Sequence, residues 1–84
     1  MRKINQGWRE RNEDGEVREV MGVRDKSGWT IQSRLKGEEE WTDHPKPDRR
    51  DVEELIAILD LKYRRGKGAL KEVEVAKKLL LKCR

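Results

Sequence analysis

Residues Trp29 to Lys36 alternate almost perfectly: Trp29, Ile31, Ser33 and Leu35 fall on one side of an extended chain, and Thr30, Gln32, Arg34 and Lys36 on the other. Successive side chains of a strand point to opposite faces, so the octet is predicted as a half-buried strand. One of its faces is core. The other is cationic and is the only functional hint in the chain, because no catalytic or metal motif stands out.

The 84 residues are 33% hydrophobic and 45% charged, which makes one small domain, residues 1–84, with a thin core. A chain of this size buries only about 60% of its unfolded surface, so stability is marginal unless the chain oligomerises or binds a ligand. There are three Trp, no Phe and a single Tyr. Each Trp can bury roughly 150 to 250 Å², and all three are therefore assigned to the core, the alternative being that one is an exposed stacking platform. The net charge of +4 is small and the apolar residues are periodic, so the chain is read as folded rather than as a solvated polymer.

The single Cys83 excludes an intrachain disulfide, and the N-terminal residues lack the apolar stretch of a signal peptide. Both point to a reducing cytoplasm. The longest apolar runs, such as Leu79 to Leu81, are too short to span a bilayer, so no membrane partner is expected.

The first half reads as an antiparallel meander of three or four strands between about residues 4 and 43. The first covers about Ile4 to Asn12, with Ile4 and Trp8 inward and Arg9 and Arg11 outward. Asp14-Gly15 is a hairpin signal, since glycine accepts positive φ at little cost. The second strand covers about Glu16 to Arg24, with Val17, Met21 and Val23 inward and Arg18, Val20 and Arg24 outward. That choice leaves Glu19 inward, which requires either a sheet edge or a bulge at Gly22. Asp25 to Gly28 turns into the octet. Gly37 and Glu38 then lead to a short fourth strand ending near Trp41 and Thr42.

Pro45 and Pro47 stop the sheet, because proline cannot donate to a ladder. Two helices follow, about residues 49–64 and 69–82. Asp48 or Asp51 can cap the first, and Asp51 with Glu54 has capping-box spacing. Val52, Leu55, Ile56, Leu59 and Tyr63 share one face, widened by Ile58 and Leu61. Arg64, Arg65 and Gly66 supply a basic last turn and a terminating glycine. In the second helix Leu70, Val73, Ala76, Leu80 and Cys83 form the inward stripe. Val75, Leu79 and Leu81 are left over, and burying them in a homodimer through this helix gives them a place.

Residues 1–47 hold ten basic and ten acidic side chains, whereas residues 48–84 hold eleven and seven. Strand alternation separates the signs further: Arg9, Arg11, Arg18, Arg24, Arg34 and Lys36 are expected on one solvent face, with Thr30 and Gln32 among them. Such a sheet can enter a nucleic-acid groove, where Arg and Gln read base edges. The plainer alternative pairs these cations with cross-strand Glu, which keeps an open sheet in solution. A second basic group, Arg64, Arg65 and Lys67 with Lys62 around Gly66, suits phosphate contacts, although basic residues in a last helical turn also stabilise the macrodipole unaided.

Catalytic readings fare worse. His44 is the only histidine, and Asp43 beside it points to the opposite face of a strand, so no dyad is implied. One His and one Cys cannot make a structural zinc site, and consecutive Glu38, Glu39 and Glu40 diverge from one another. No cofactor is expected. Antiparallel strands followed by helix, over about residues 7 to 64, form a layout similar to the arm-binding domains of phage-type integrases. That likeness is one of architecture, carried by no motif.

The reading is an α+β domain, a three- to four-stranded antiparallel meander with two C-terminal helices packed on one face. Its expected function is that of a small non-catalytic nucleic-acid-binding or regulatory module, with DNA or RNA as partner. The competing expectation is a protein-interaction module, a homodimer through Val75, Leu79 and Leu81.

Overall fold

The structure is a computed structural model that describes residues 4–83. Four strands, β1 (Ile4–Arg11), β2 (Val17–Asp25), β3 (Gly28–Leu35) and β4 (Thr42–His44), precede helices α1 (Arg49–Arg64) and α2 (Leu70–Lys77), and a 3₁₀ segment, Lys78–Lys82, follows. The layout is α+β. The chain forms two compact units, Met1–Pro45 and Lys46–Arg84, and the boundary falls in the Pro45-Lys46-Pro47 segment that stops the sheet.

In the first unit the strands pair antiparallel in the order β1-β2-β3-β4. Both hairpins have local causes. Asn12 Oδ1 accepts from the backbone N–H of Asp14 (3.0 Å) and of Glu16 (2.9 Å), while Gly15 takes φ 83°. Asp25 Oδ1 likewise accepts from Ser27 N–H at 2.9 Å and from its hydroxyl at 2.7 Å. These side chains hold the turns through contacts that span no more than four residues of sequence.

The octet behaves as its alternation requires: Trp29, Ile31 and Ser33 are buried, and Thr30 is exposed. The second strand does not follow the expected faces. Register pairs Val20 with Ser33 and Gly22 with Ile31, so Val20 and Gly22 are buried, and Arg18 and Arg24 lie on that same face. Val17, Glu19, Met21 and Val23 stand on the opposite, open face. Counting apolar residues favours the second set. The partner strand decides otherwise, because Gly22 leaves room opposite the wholly buried Ile31. Pairing runs unbroken from Ile4↔Arg24 to Arg11↔Val17 and from Arg18↔Leu35 to Asp25↔Gly28. Gly22 is therefore no bulge, and Glu19 sits in a central strand. The side chain of Ile4, expected inward, lies outside the described residues.

The fourth strand begins at Thr42 rather than ending there. Lys36 to Trp41 form the connection, in which Gly37 adopts φ 99° and Glu38 Oε1 accepts from Leu35 N–H at 2.7 Å. Trp41 is consequently not a core strand residue.

In the second unit α1 starts at Asp48, whose carboxylate accepts from Arg50 N–H at 3.0 Å. Asp51, the expected capping-box residue, is instead a buried first-turn residue. Val52, Leu55 and Leu59 form the buried stripe, whereas Tyr63 and Leu61 are exposed. The helix closes with a Schellman pair, Gly66 N–H to Tyr63 O (3.0 Å) and Lys67 N–H to Lys62 O (2.9 Å), which needs Gly66 at φ 72°.

α2 packs on α1 through Val73 and Ala76. Beyond Lys77 the chain tightens to 3₁₀, with three residues per turn, so the next inward position after Ala76 is Leu79. Leu79 is buried, Leu80 is only half-buried, Leu70 is exposed, and Leu81 is 89% exposed. The stripe expected from a continuous α-helix is thus corrected by one residue.

Candidate nucleic-acid interface

The open face of the sheet carries Asn5, Gly7, Arg9 and Arg11 from β1, Val17, Glu19, Met21 and Val23 from β2, and Thr30, Gln32 and Arg34 from β3. Of the six cations expected together, it holds Arg9, Arg11 and Arg34. Lys36 is exposed in the turn just past β3. Arg18 and Arg24 belong to the other face because β2 buries Val20. Arg18 Nη1 there donates to Glu10 Oε1 at 2.7 Å, and Arg24 donates to the Asp25 carbonyl.

Register places Arg9, Glu19 and Arg34 side by side across three strands. Glu19 Oε1 takes Arg34 Nε at 3.2 Å, and its other oxygen lies 3.7 Å from Arg9 Nε. Glu19 was the residue that fitted the expected faces of β2 worst, and it proves to be the centre of the open face. Its awkward place in the pattern was the available signal that the faces of β2 were reversed. Arg34 also lies over the Trp41 ring, 4.5 Å from the centroid, which brings Trp41 to this face rather than to the core. Gln32 donates to Asp43 Oδ1 at 2.7 Å.

The three arginines of this face differ in freedom. Arg9 is 76% exposed in its side chain, so its long ion pair is screened by water, whereas Arg34 is 29% exposed and doubly held. Arg11 is exposed and has no ion pair among the described residues. Beside Arg9 lies an open hollow of about 470 Å³ lined by Gly7, Trp8, Arg9, Glu19, Val20, Met21 and Trp41.

The second basic group belongs to the helical unit. Arg64 Nε meets Asp60 Oδ2 at 3.1 Å across one helical turn, while Arg65 and Lys67 are exposed and their backbone N–H groups close the helix end. A macrodipole and a cap give these positions a local role beside the phosphate contacts expected of them.

Ser33 Oγ and His44 Nε2 share a hydrogen bond of 2.6 Å, the separation of a nucleophile and its base. Ser33 is only 7% exposed, and Asp43 is turned away to Gln32, so the contact satisfies a buried hydroxyl at the sheet's end. Among the described residues no group of three His, Cys, Asp or Glu side chains could hold a metal ion, and no helix is long and apolar enough to cross a membrane. Burial raises the Cys83 thiol above its ordinary value, against the opposing influence of Arg49, and Sγ donates to Leu79 O at 3.3 Å. No family model, curated protein or solved structure matches the chain.

Proposed function

We propose that the chain is a small non-catalytic module that binds nucleic acid on the open face of its sheet. The observation that carries this reading is the placement of Arg9 and Arg11 on β1 and Arg34 on β3 across one face, with Glu19 between Arg9 and Arg34 and with Thr30 and Gln32 further along β3. Phosphate contacts need cations that can reorient, and Arg9, Arg11 and Lys36 are all exposed. Glu19 weakens the field of this face. It also fixes Arg34, so Arg34 positions while Arg9 and Arg11 reach. A strand pair fits the major groove, and Gln32 is of the type that reads base edges.

The test is a salt titration of binding to short duplex and single-stranded oligonucleotides. Affinity should fall steeply with salt, and Arg9→Ala or Arg11→Ala should each flatten the logarithmic slope by about 0.7 to 0.9. Arg18→Ala and Arg24→Ala, on the opposite face, should not. Absence of binding at low salt, or equal effects from both sets, overturns the reading.

A different observation favours protein interaction: Leu61, Tyr63, Leu70 and Leu81 are exposed in the helical unit. A dimer formed there would use Leu81 and the half-buried Val75, not Leu79, which is already buried. Sedimentation of wild type and Leu81→Lys over a range of concentrations separates this reading from the first. It fails if the wild type stays monomeric.

A further inference from the structure

Gly7 is an expensive choice for the middle of an eight-residue strand, because glycine loses the most backbone freedom and has nothing to pack. Its backbone does not require it. Gly7 is not among the positive-φ glycines, and a Cβ added there would meet only the Val20 carbonyl at 3.5 Å, an ordinary contact. What its missing side chain does is deepen the hollow between Arg9, Glu19, Met21 and Trp41. A strand glycine often marks a bulge, a tight bend or a place where a ligand or another backbone approaches closely, and the unbroken pairing of β1 removes the bulge.

Resting on the nucleic-acid reading of the same face, we propose that this hollow receives one unpaired nucleobase, so that the module prefers single strands to duplex. Three observations converge. The hollow, about 470 Å³, has room for a base, and a flat group entering it meets the Met21 side chain and the Trp41 indole. Arg34 holds that indole in place from one side, 4.5 Å from its centroid, which readies it as a stacking partner. The rim is chemically split: Arg9, with Arg11 two residues along the same face, suits the backbone phosphates, while the Glu19 carboxylate can accept from an exocyclic amino group. A duplex keeps its bases stacked and would have to unpair and unstack one to fill the hollow. An unpaired strand has no such cost.

The experiment measures fluorescence anisotropy of labelled mixed-sequence oligonucleotides, about ten nucleotides long, as single strand and as duplex, at low salt with the full chain. The single strand should bind about tenfold more tightly than the duplex, and Trp41→Ala should lower single-strand affinity by about tenfold while leaving duplex affinity unchanged. Because Trp41→Ala also removes the partner of Arg34, Gly7→Val supplies an independent variant. A β-branched residue suits a strand and fills the hollow, so it should reduce single-strand affinity similarly with the melting temperature maintained. Equal affinity for both forms, or single-strand affinity that survives Gly7→Val in a folded protein, overturns the base site while leaving a phosphate-binding sheet intact. No binding of either form removes both readings and leaves this face to a protein partner.

Discussion

The ion pairs of the sheet unit and those of the helical unit are built differently. In the helices Arg49 meets Glu53, and Arg64 meets Asp60, each four residues away on the same helix. In the sheet Arg9, Glu19 and Arg34 come from three strands, and Arg18 reaches Glu10 across a hairpin. The first kind exists wherever a helix forms. The second exists only in one register, since a slip of one residue would send every side chain to the other face. The sheet's surface chemistry therefore depends on its core, and the helices' does not.

The largest expected effect strikes that dependence at its root. Ile31→Ala, opposite Gly22 on the buried face, should cost about 2 to 5 kcal/mol in urea unfolding, a large share of a small domain's stability. If the open-face chemistry is register-dependent, the same variant loses nucleic-acid binding as it unfolds, in parallel with the loss of sheet signal. Binding that outlasts the sheet would break the comparison.

Next come two leucines that the expected inward stripe of the second helix left outside, Leu79 and Leu81. Leu79→Lys, placing a charge at a buried site, should destabilise by more than about 3 kcal/mol, whereas Leu81→Lys should stay within about 0.5 kcal/mol. Comparable melting temperatures for the two would mean that the 3₁₀ turn does not set the inward position.

The ion pairs themselves should follow in smaller steps. Glu19→Gln should cost about 0.5 to 1 kcal/mol, nearly all through Arg34, because the exposed Arg9 is screened. It should also raise affinity for duplex, which leaves the base site unfilled, by removing the carboxylate between Arg9 and Arg34. Asp60→Asn should cost no more than about 0.5 kcal/mol. A double-mutant cycle on Glu19 and Arg34 that showed no coupling would reduce the row to coincidence.

The smallest effect is at Cys83. With its thiol pKa raised on folding, the folded chain holds a proton that the unfolded chain releases, so stability should decline as pH rises above the ordinary thiol range and be unaffected below it. Alkylation by iodoacetamide at mildly alkaline pH should be slower in the folded chain than in urea. Equal rates would contradict the burial.

Much of the architecture was legible because its causes are local. Helix α1 runs from Arg49 to Arg64, as its spacing predicted, since Asp48 caps one end and Gly66 the other within a few residues of sequence. The hairpins at Gly15 and Gly28 and the buried side of Trp29 and Ile31 were equally readable. β2 was not, because both of its faces carry apolar and charged residues, and neither alternation is complete. Only pairing with β3, whose own face was unambiguous, could choose Val20 over Met21. The same choice divided the six cations between two faces and moved Glu19 to the centre of the candidate site.

By itself, then, the sequence determined the order of elements, the turns, the first helix and the one unambiguous strand, because capping, glycine φ and strict alternation act within a few residues. Tertiary structure decided which face of β2 is buried, which arginines share a surface, where Trp41 goes and which leucine of the last turn is core. Those outcomes rest on register and on the tightening of a helix end, where sets of side chains with similar local merit are separated only by what packs opposite them.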